Sequence, residues 1–312
     1  MNTNKLKIIS FYKFVQISNP KKIKSSLDNF VKDKMLRGTI LLANEGINAA
    51  ISGSENDLRY LVRKIKILLK NTDLNIKKSF VEFLPFNKMK IRVKKEIVSL
   101  GKNEIDIPKY TGKFISPNNW NNLIEKKNIK LIDMRNEYEV KIGHFKNSIN
   151  PKTKSFRDFP NKINKLGIKK DDEIVMYCTG GIRCEKISAF LRVNGYERVS
   201  QLDGGILNFL EFSKNKKNSE VWNGECFVFD NRVSVNKNLE MGSFEQCHGC
   251  RQPLTKQETK LKSYKKGVSC KYCYNKRTLN QKRRSETRQN QINKAESNKL
   301  DHPFKKIQRL NS

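Results

Sequence analysis

No apolar run in this chain reaches the ~18 residues of a membrane-spanning helix, which excludes a helical membrane protein. The opening residues, Met1-Asn-Thr-Asn-Lys-Leu-Lys, contain no apolar stretch of the secretory-signal kind. Cysteines number seven, an odd count with uneven spacing, so a disulfide framework is not expected and a reducing cytoplasm is. There is no flavin or haem signature, and no histidine/carboxylate iron triad outside the cysteine region. Acidic residues are scarce: 31 Asp and Glu face 64 Lys and Arg, a net charge of +33 over 312 residues. Part of that excess follows from a Lys-, Asn- and Ile-rich composition of the kind AT-rich genomes encode. The rest predicts attraction to polyanions, nucleic acid before anionic membrane.

What is present divides into three segments and a tail. Residues 1–112 alternate strand and helix patterns. Lys7–Tyr12 reads as a strand, and Ile23, Leu27, Phe30 and Val31 share a helical face. Gly38–Ala43 and Ile47–Ile51 read as strands joined by the turn Asn44-Glu45-Gly46. Ser54 and Asp57 form a capping pair ahead of the apolar positions 58, 61, 62, 65, 68 and 69. A strand near Lys78–Phe83 completes a βαββαβ order, which predicts a split-βαβ, ferredoxin-like sheet with two helices on one face. Ile91–Val98 reads as a further strand with basic residues on its exposed side, either a solvated face or a nucleic-acid contact.

Residues 116–217 alternate strands with helices, the pattern of a parallel sheet covered on both faces. Here Glu173–Tyr177 is a short apolar strand, and Cys178-Thr-Gly-Gly-Ile-Arg183 follows it into a helix. A cysteine at the carboxyl end of such a strand sits where parallel sheets bind ligands. Loop amides from Thr179, Gly180, Gly181, Ile182 and Arg183 can point at its sulfur, the helix start adds positive potential, and both favour thiolate. The bland reading is a buried cysteine acting as a small hydrophobe. Two adjacent glycines and an arginine at a helix start, where the macrodipole disfavours it, point instead to a functional thiol. Four residues separate Cys178 from Arg183, one fewer than in the phosphatase loop. That ring suits one extra sulfur or oxygen on the cysteine rather than a phosphate. Cys184, just inside the helix, reads as core packing, with a resolving thiol as the alternative. Asp133 and Arg135, at the end of another strand, either orient the loop or form an ordinary buried ion pair.

Residues 221–274 carry Cys247-x-x-Cys250 and Cys270-x-x-Cys273, the spacing of two zinc knuckles that give four thiolates. The alternative is a metal-free remnant, and His248 reads as a bystander. In the tail, 275–312, eleven Lys/Arg meet three acids, and few apolar residues remain. It reads as disordered or as a lone polar helix able to touch phosphates without sequence preference.

Cys178-Thr-Gly-Gly-Ile-Arg-Cys-Glu-Lys186 resembles the active loop of the bacterial rhodanese-domain tRNA uridine hydroxylases, which act on the wobble uridine. Leu41-Leu-Ala-Asn-Glu-Gly-Ile-Asn48, Lys94-Lys-Glu-Ile-Val98, Asp133-Met-Arg-Asn-Glu-Tyr-Glu139, Asp203-Gly-Gly-Ile206 and Phe227-Val-Phe-Asp230 extend the likeness, in order, over roughly residues 5–275. The resemblance implies a rhodanese-like second domain. It also implies oxygen-dependent conversion of uridine 34 of tRNA to 5-hydroxyuridine, with Cys178 as active-site residue, the tRNA anticodon region as partner and molecular oxygen as co-substrate. The electron donor is left unassigned. Family members often carry further cysteines near the C-terminus, whereas none follows Cys273 here. The rival activity is sulfur transfer through a Cys178 persulfide, and a non-catalytic RNA-binding protein is the third reading.

Overall fold

The computed structural model describes residues 6–102, 105–214 and 220–298. Its first unit contains β1 (Leu6–Phe14), α1 (Pro20–Val31), β2 (Arg37–Ala43), β3 (Gly46–Gly53), α2 (Glu55–Leu68), β4 (Lys77–Val81) and β5 (Met89–Val93). The sheet order is β4-β1-β3-β2-β5. Its first four strands are antiparallel neighbours, and β5 adds a parallel edge beside β2. This is the ferredoxin-like arrangement expected from the residue pattern. Strand period decides the layers. Ile9 and Phe11 of β1 join Leu27 and Val31 of α1 and Leu58, Leu61 and Ile65 of α2 in one core. Tyr12 and Phe14 belong to a different cluster, shared with Ala189 and Ile182 of the second unit. Ser54 Oγ accepts the Asp57 amide at 3.1 Å, satisfying one of the free donors at the start of α2.

The expected strand over 91–98 is corrected: β5 begins at Met89 and stops at Val93. Beyond it, Glu96 turns inward and is buried, accepting the Leu100 amide at 2.8 Å and Lys186 Nζ at 2.7 Å. A side chain committed to those partners cannot stay in a sheet ladder.

The second unit contains α3 (Ile107–Tyr110), β6 (Lys113–Ile115), α4 (Pro117–Ile124), β7 (Ile129–Asp133), α5 (Glu137–Val140) and β8 (Gly143–Phe145). After them come α6 (Phe159–Lys162), β9 (Glu173–Tyr177), α7 (Ile182–Val193), β10 (Val199–Leu202) and α8 (Gly205–Ser213). The parallel sheet runs β6-β10-β9-β7. From Ile174 to Tyr177 β9 is buried on both sides, so it is apolar there rather than alternating. Ile174 and Met176 enter the core that holds Ile187 and Leu191 of α7, while Val175 and Tyr177 enter the one that holds Trp120, Phe209 and Leu210. Gly195, at φ +85°, ends α7: its own amide reaches the Arg192 carbonyl and the Tyr196 amide reaches that of Leu191, both at 3.1 Å.

The last part is built of short ladders. β11 (Trp222–Gly224) pairs with β8, β12 (Cys226–Phe227) with β13 (Ser234–Val235), and β14 (Glu245–Gln246) with β15 (Pro253–Leu254). α9 (Leu279–Ser297) then corrects the reading of the tail. It is a helix over those residues, and it is not solitary. Arg277 donates to Val268 O at 2.9 Å and to Ser285 Oγ at 2.8 Å, and Lys265 meets Glu286 at 2.6 Å. Polar contacts dock it where apolar content alone gave no reason to expect docking. The tail beyond Asn298 lies outside the described residues.

Candidate active site

Cys178 follows β9 directly and is fully buried. The backbone around it is turned by partners outside the loop. Ile206 N takes the Cys178 carbonyl at 2.9 Å, and Leu207 N takes the Thr179 carbonyl at 3.1 Å. Lys77 Nζ, from β4, donates to the Gly180 carbonyl at 3.1 Å and also to the Gly204 carbonyl. With the carbonyls drawn outward, amides face the sulfur: Gly181 N lies 3.1 Å from Cys178 Sγ. Gly181 adopts φ +103°, open to glycine and costly for other residues. At Gly205 a Cβ would stand 2.4 Å from the Cys178 carbonyl oxygen. Glycine at 205 therefore lets α8 start against the cysteine loop.

Electrostatics follow from this geometry. Burial pushes the Cys178 thiol up, but the Cys184 thiol, the Arg183 charge and the Cys184 and Gly181 amides outweigh it and bring it down to about 5. Cys178 is thus a thiolate at neutral pH, while Cys184, buried and donating to it, is held well above the usual thiol range. Among the amides offered by residues 179–183, Gly181 makes the hydrogen bond to sulfur, and Cys184 adds one from within α7.

Arg183 is not a free cation. Its two terminal nitrogens meet the two carboxylate oxygens of Glu139, each at 2.7 Å, and one reaches Thr179 Oγ1 at 3.3 Å. Glu139 is fully buried and also accepts the Asn136 amide, closing a capping box on α5. A fork-to-fork pair of this kind fixes guanidinium orientation as well as charge. Glu139 closes the motif Asp133–Glu139, and that position was the only sequence signal for it.

Asp133 and Arg135 form a buried pair of their own, with Arg135 Nη2 2.6 Å from the carboxylate and 2.6 Å from the Gly143 carbonyl. The Arg135 guanidinium lies 5.8 Å from the Tyr177 ring centroid and 5.4 Å from that of Trp222. The structure therefore places this pair beside the strand that carries Cys178, with its hydrogen bonds directed to β8 and not to residues 179–183.

Further residues of the site come from the first unit. Tyr12 Oη donates to Glu185 at 2.8 Å and stands against Gly181. Burial, with Glu185 beside it, raises the Tyr12 phenol far above its usual range. Lys186 Nζ is clamped by Glu45 at 2.6 Å and Glu96 at 2.7 Å. The motifs around Glu45 and Glu96 thus seat the first sheet on α7.

The four knuckle cysteines converge, with all four sulfurs within 4.8 Å of one another. Cys247–Cys273 and Cys270–Cys273 are 3.9 Å apart, and Cys250–Cys270 is 3.6 Å. A tetrahedral zinc with ~2.3 Å bonds spaces its sulfurs about 3.8 Å apart, so this donor set fits zinc. His248 is outside the group.

Two family descriptions match the chain in order: a UPF0176 acylphosphatase like domain over residues 6–97 and a Rhodanese-like domain over residues 116–211. Fold and cysteine loop together define a rhodanese-domain protein with an acylphosphatase-like sheet ahead of it. The chain is 45% identical over 302 residues to the tRNA uridine(34) hydroxylase of Pelagibacter ubique (strain HTCC1062), spanning 96% of this chain and 98% of that one. It belongs to the tRNA uridine(34) hydroxylase family. Among solved structures, a rhodanese-like domain protein from Staphylococcus aureus is 24% identical with a TM-score of 0.27, over 31% of this chain and 90% of its own. The Alr3790 protein from Anabaena sp. is 18% identical with a TM-score of 0.29, over 35% and 91%.

Proposed function

We propose that this protein hydroxylates uridine 34 of tRNA at C5, using molecular oxygen and acting in the cytoplasm through Cys178. Membership of the family over nearly the whole chain supports the reaction. The observation that supports the residue is the lowered Cys178 thiol, held among inward amides at the carboxyl end of β9. In this reading the thiolate adds to uracil C6, forming a C–S bond and making C5 electron-rich. One oxygen atom is delivered to C5. Loss of the C5 proton and expulsion of the thiolate then restore the C5–C6 double bond. The second oxygen atom leaves as water, taking two electrons and two protons from a separate reductant. Arg183, fixed by Glu139, and the Gly181 amide stabilise the thiolate as attacking and leaving group. Since Cys178 is buried, the uridine must leave the anticodon stack and the rim must part to admit it.

Cys247, Cys250, Cys270 and Cys273 would hold a structural zinc that ties the knuckles to α9. No helix among the described residues is long and apolar enough to cross a membrane.

Sulfur transfer through a Cys178 persulfide is the second reading, and the same inward amides favour it. Nucleoside mass spectrometry of tRNA from cells with and without the gene separates the two. Loss of 5-hydroxyuridine, restored by wild type but not by Cys178→Ser, supports hydroxylation. An unchanged level with loss of 2-thiouridine overturns it.

A further inference from the structure

A lone exposed phenyl is ordinary on a protein surface. Phe229 differs in three respects. It is 64% exposed, yet its ring centroid is 6.0 Å from the guanidinium carbon of Arg183, which reaches into the cysteine loop. Among the described aromatics that are exposed and paired with a cation, it is the one whose cation belongs to that loop.

The backbone that carries Phe229 is also fixed on both sides. It lies in the tight connection between β12 and β13, closed by Val228 N to Val233 O at 2.9 Å. Asp230 pairs with Arg232, which reaches Ser79 Oγ of β4 at 3.4 Å. Asn231 N donates to Pro85 O at 2.9 Å, and its side-chain amide donates to Leu84 O at 3.0 Å and Asn87 Oδ1 at 3.1 Å. Phe227 meets the ring edge-on, with centroids 5.1 Å apart. So much anchoring holds an apolar ring in water, an arrangement that burial does not reward. It suits a surface kept ready for a flat partner, whose ordering cost is already met.

The surroundings say which partner. The segment that holds Asn231 ends in Lys88 and runs straight into β5, which carries Lys90 and Arg92 beside Arg251 of the first knuckle. Partial burial first, and then the charges of Lys88, Arg92 and Arg251, lower Lys90 from its ordinary value, and a polyanion would relieve the repulsion among those charges. An aromatic face next to a basic strand is the combination that binds unpaired RNA: bases stack, phosphates meet cations.

We propose that Phe229 is a stacking platform for a nucleobase of the anticodon loop, placed at the rim of the Cys178 site, with β5 taking the adjoining phosphates. This rests on the tRNA reading above and deepens it by naming the residue that presents the base.

The test is equilibrium binding of an anticodon stem-loop RNA bearing uridine 34 to the full-length protein at fixed salt. Phe229→Ala weakens binding about tenfold, the scale of one base–aromatic stack. Phe229→Leu, apolar but without a π face, weakens it similarly, whereas Phe229→Trp binds as wild type does. Phe114→Ala, at an exposed aromatic on β6, leaves binding unchanged. Wild-type affinity in Phe229→Ala or Phe229→Leu overturns the stacking role while leaving the hydroxylase reading intact. A wild-type protein that binds no RNA and forms no 5-hydroxyuridine overturns both.

Discussion

Lys186 and Glu45 stand 141 residues apart in sequence and 2.6 Å apart in space, with the lysine fully buried. Glu96 closes the cluster from the other side at 2.7 Å. The first sheet is thereby fastened to the helix that begins with Arg183. Removing the lysine strands two carboxylates, one of them almost wholly buried. Lys186→Met should lower unfolding stability by about 3 kcal/mol, the range for breaking a buried pair. Adding Glu45→Gln and Glu96→Gln should recover part of the loss. Urea melts of the three proteins measure it, and a single mutant as stable as wild type would refute the clamp.

The Cys178 thiol should titrate near 5 in the folded protein, below the ordinary value of 9.0. A lowered acid is ionised above its folded-state pKa. The thiolate signal in the ultraviolet, taken as wild type minus Cys178→Ser, should therefore persist from neutral pH down to about 5 and vanish below it. Cys184→Ala removes the first of the favourable contributions and should move that midpoint upward. A midpoint that stays put in this variant would show that Cys184 does not donate to the sulfur.

Burial lowers the Lys77 ammonium from 10.5 to about 8. A lowered base favours folding more when neutral, so its contribution grows as pH rises from about 8 to 10.5. Wild type should gain stability over Lys77→Met across that window. The same variant frees the Gly180 and Gly204 carbonyls and should reduce turnover more than tRNA affinity. Parallel stability curves for the two proteins would refute the lowered Lys77 ammonium.

One zinc per chain is the expected stoichiometry by metal analysis of purified protein, and Cys250→Ser should lose it. Because α9 leans on the knuckle through Arg277 and Lys265, metal removal should expose that helix to proteolysis before the parallel-sheet unit. Full metal content in Cys250→Ser would remove that cysteine from the ligand set.

Local pattern made much of the fold readable. Period-2 and helical spacings mark β1 to α2, and the apolar run of β9 marks a strand buried on both faces. Cys178 was readable because its loop and its strand are contiguous. The residues that complete the site were not, because their partners are remote. Arg183 finds Glu139 44 residues away, Lys77 finds Gly180 across 103, and Tyr12 finds Glu185 across 173. No periodicity encodes such pairings, and a positive charge at a helix start reads as free until its carboxylate is seen. In the tail a polar helix was legible but its docking was not, because apolar content gives no sign of it: α9 is held by Arg277, Ser285 and Glu286.

Lys77 and Tyr12 carry a consequence for how the molecule is made. A ribosome releases the amino end first, so the five-stranded sheet is available before residue 178 has been joined to the chain. The cysteine loop is then shaped against a finished surface. Without that surface, the cysteine loop would lose the lysine under Gly180 and the phenol against Gly181. The amino-terminal sheet thus supplies part of the wall around residues 178–183.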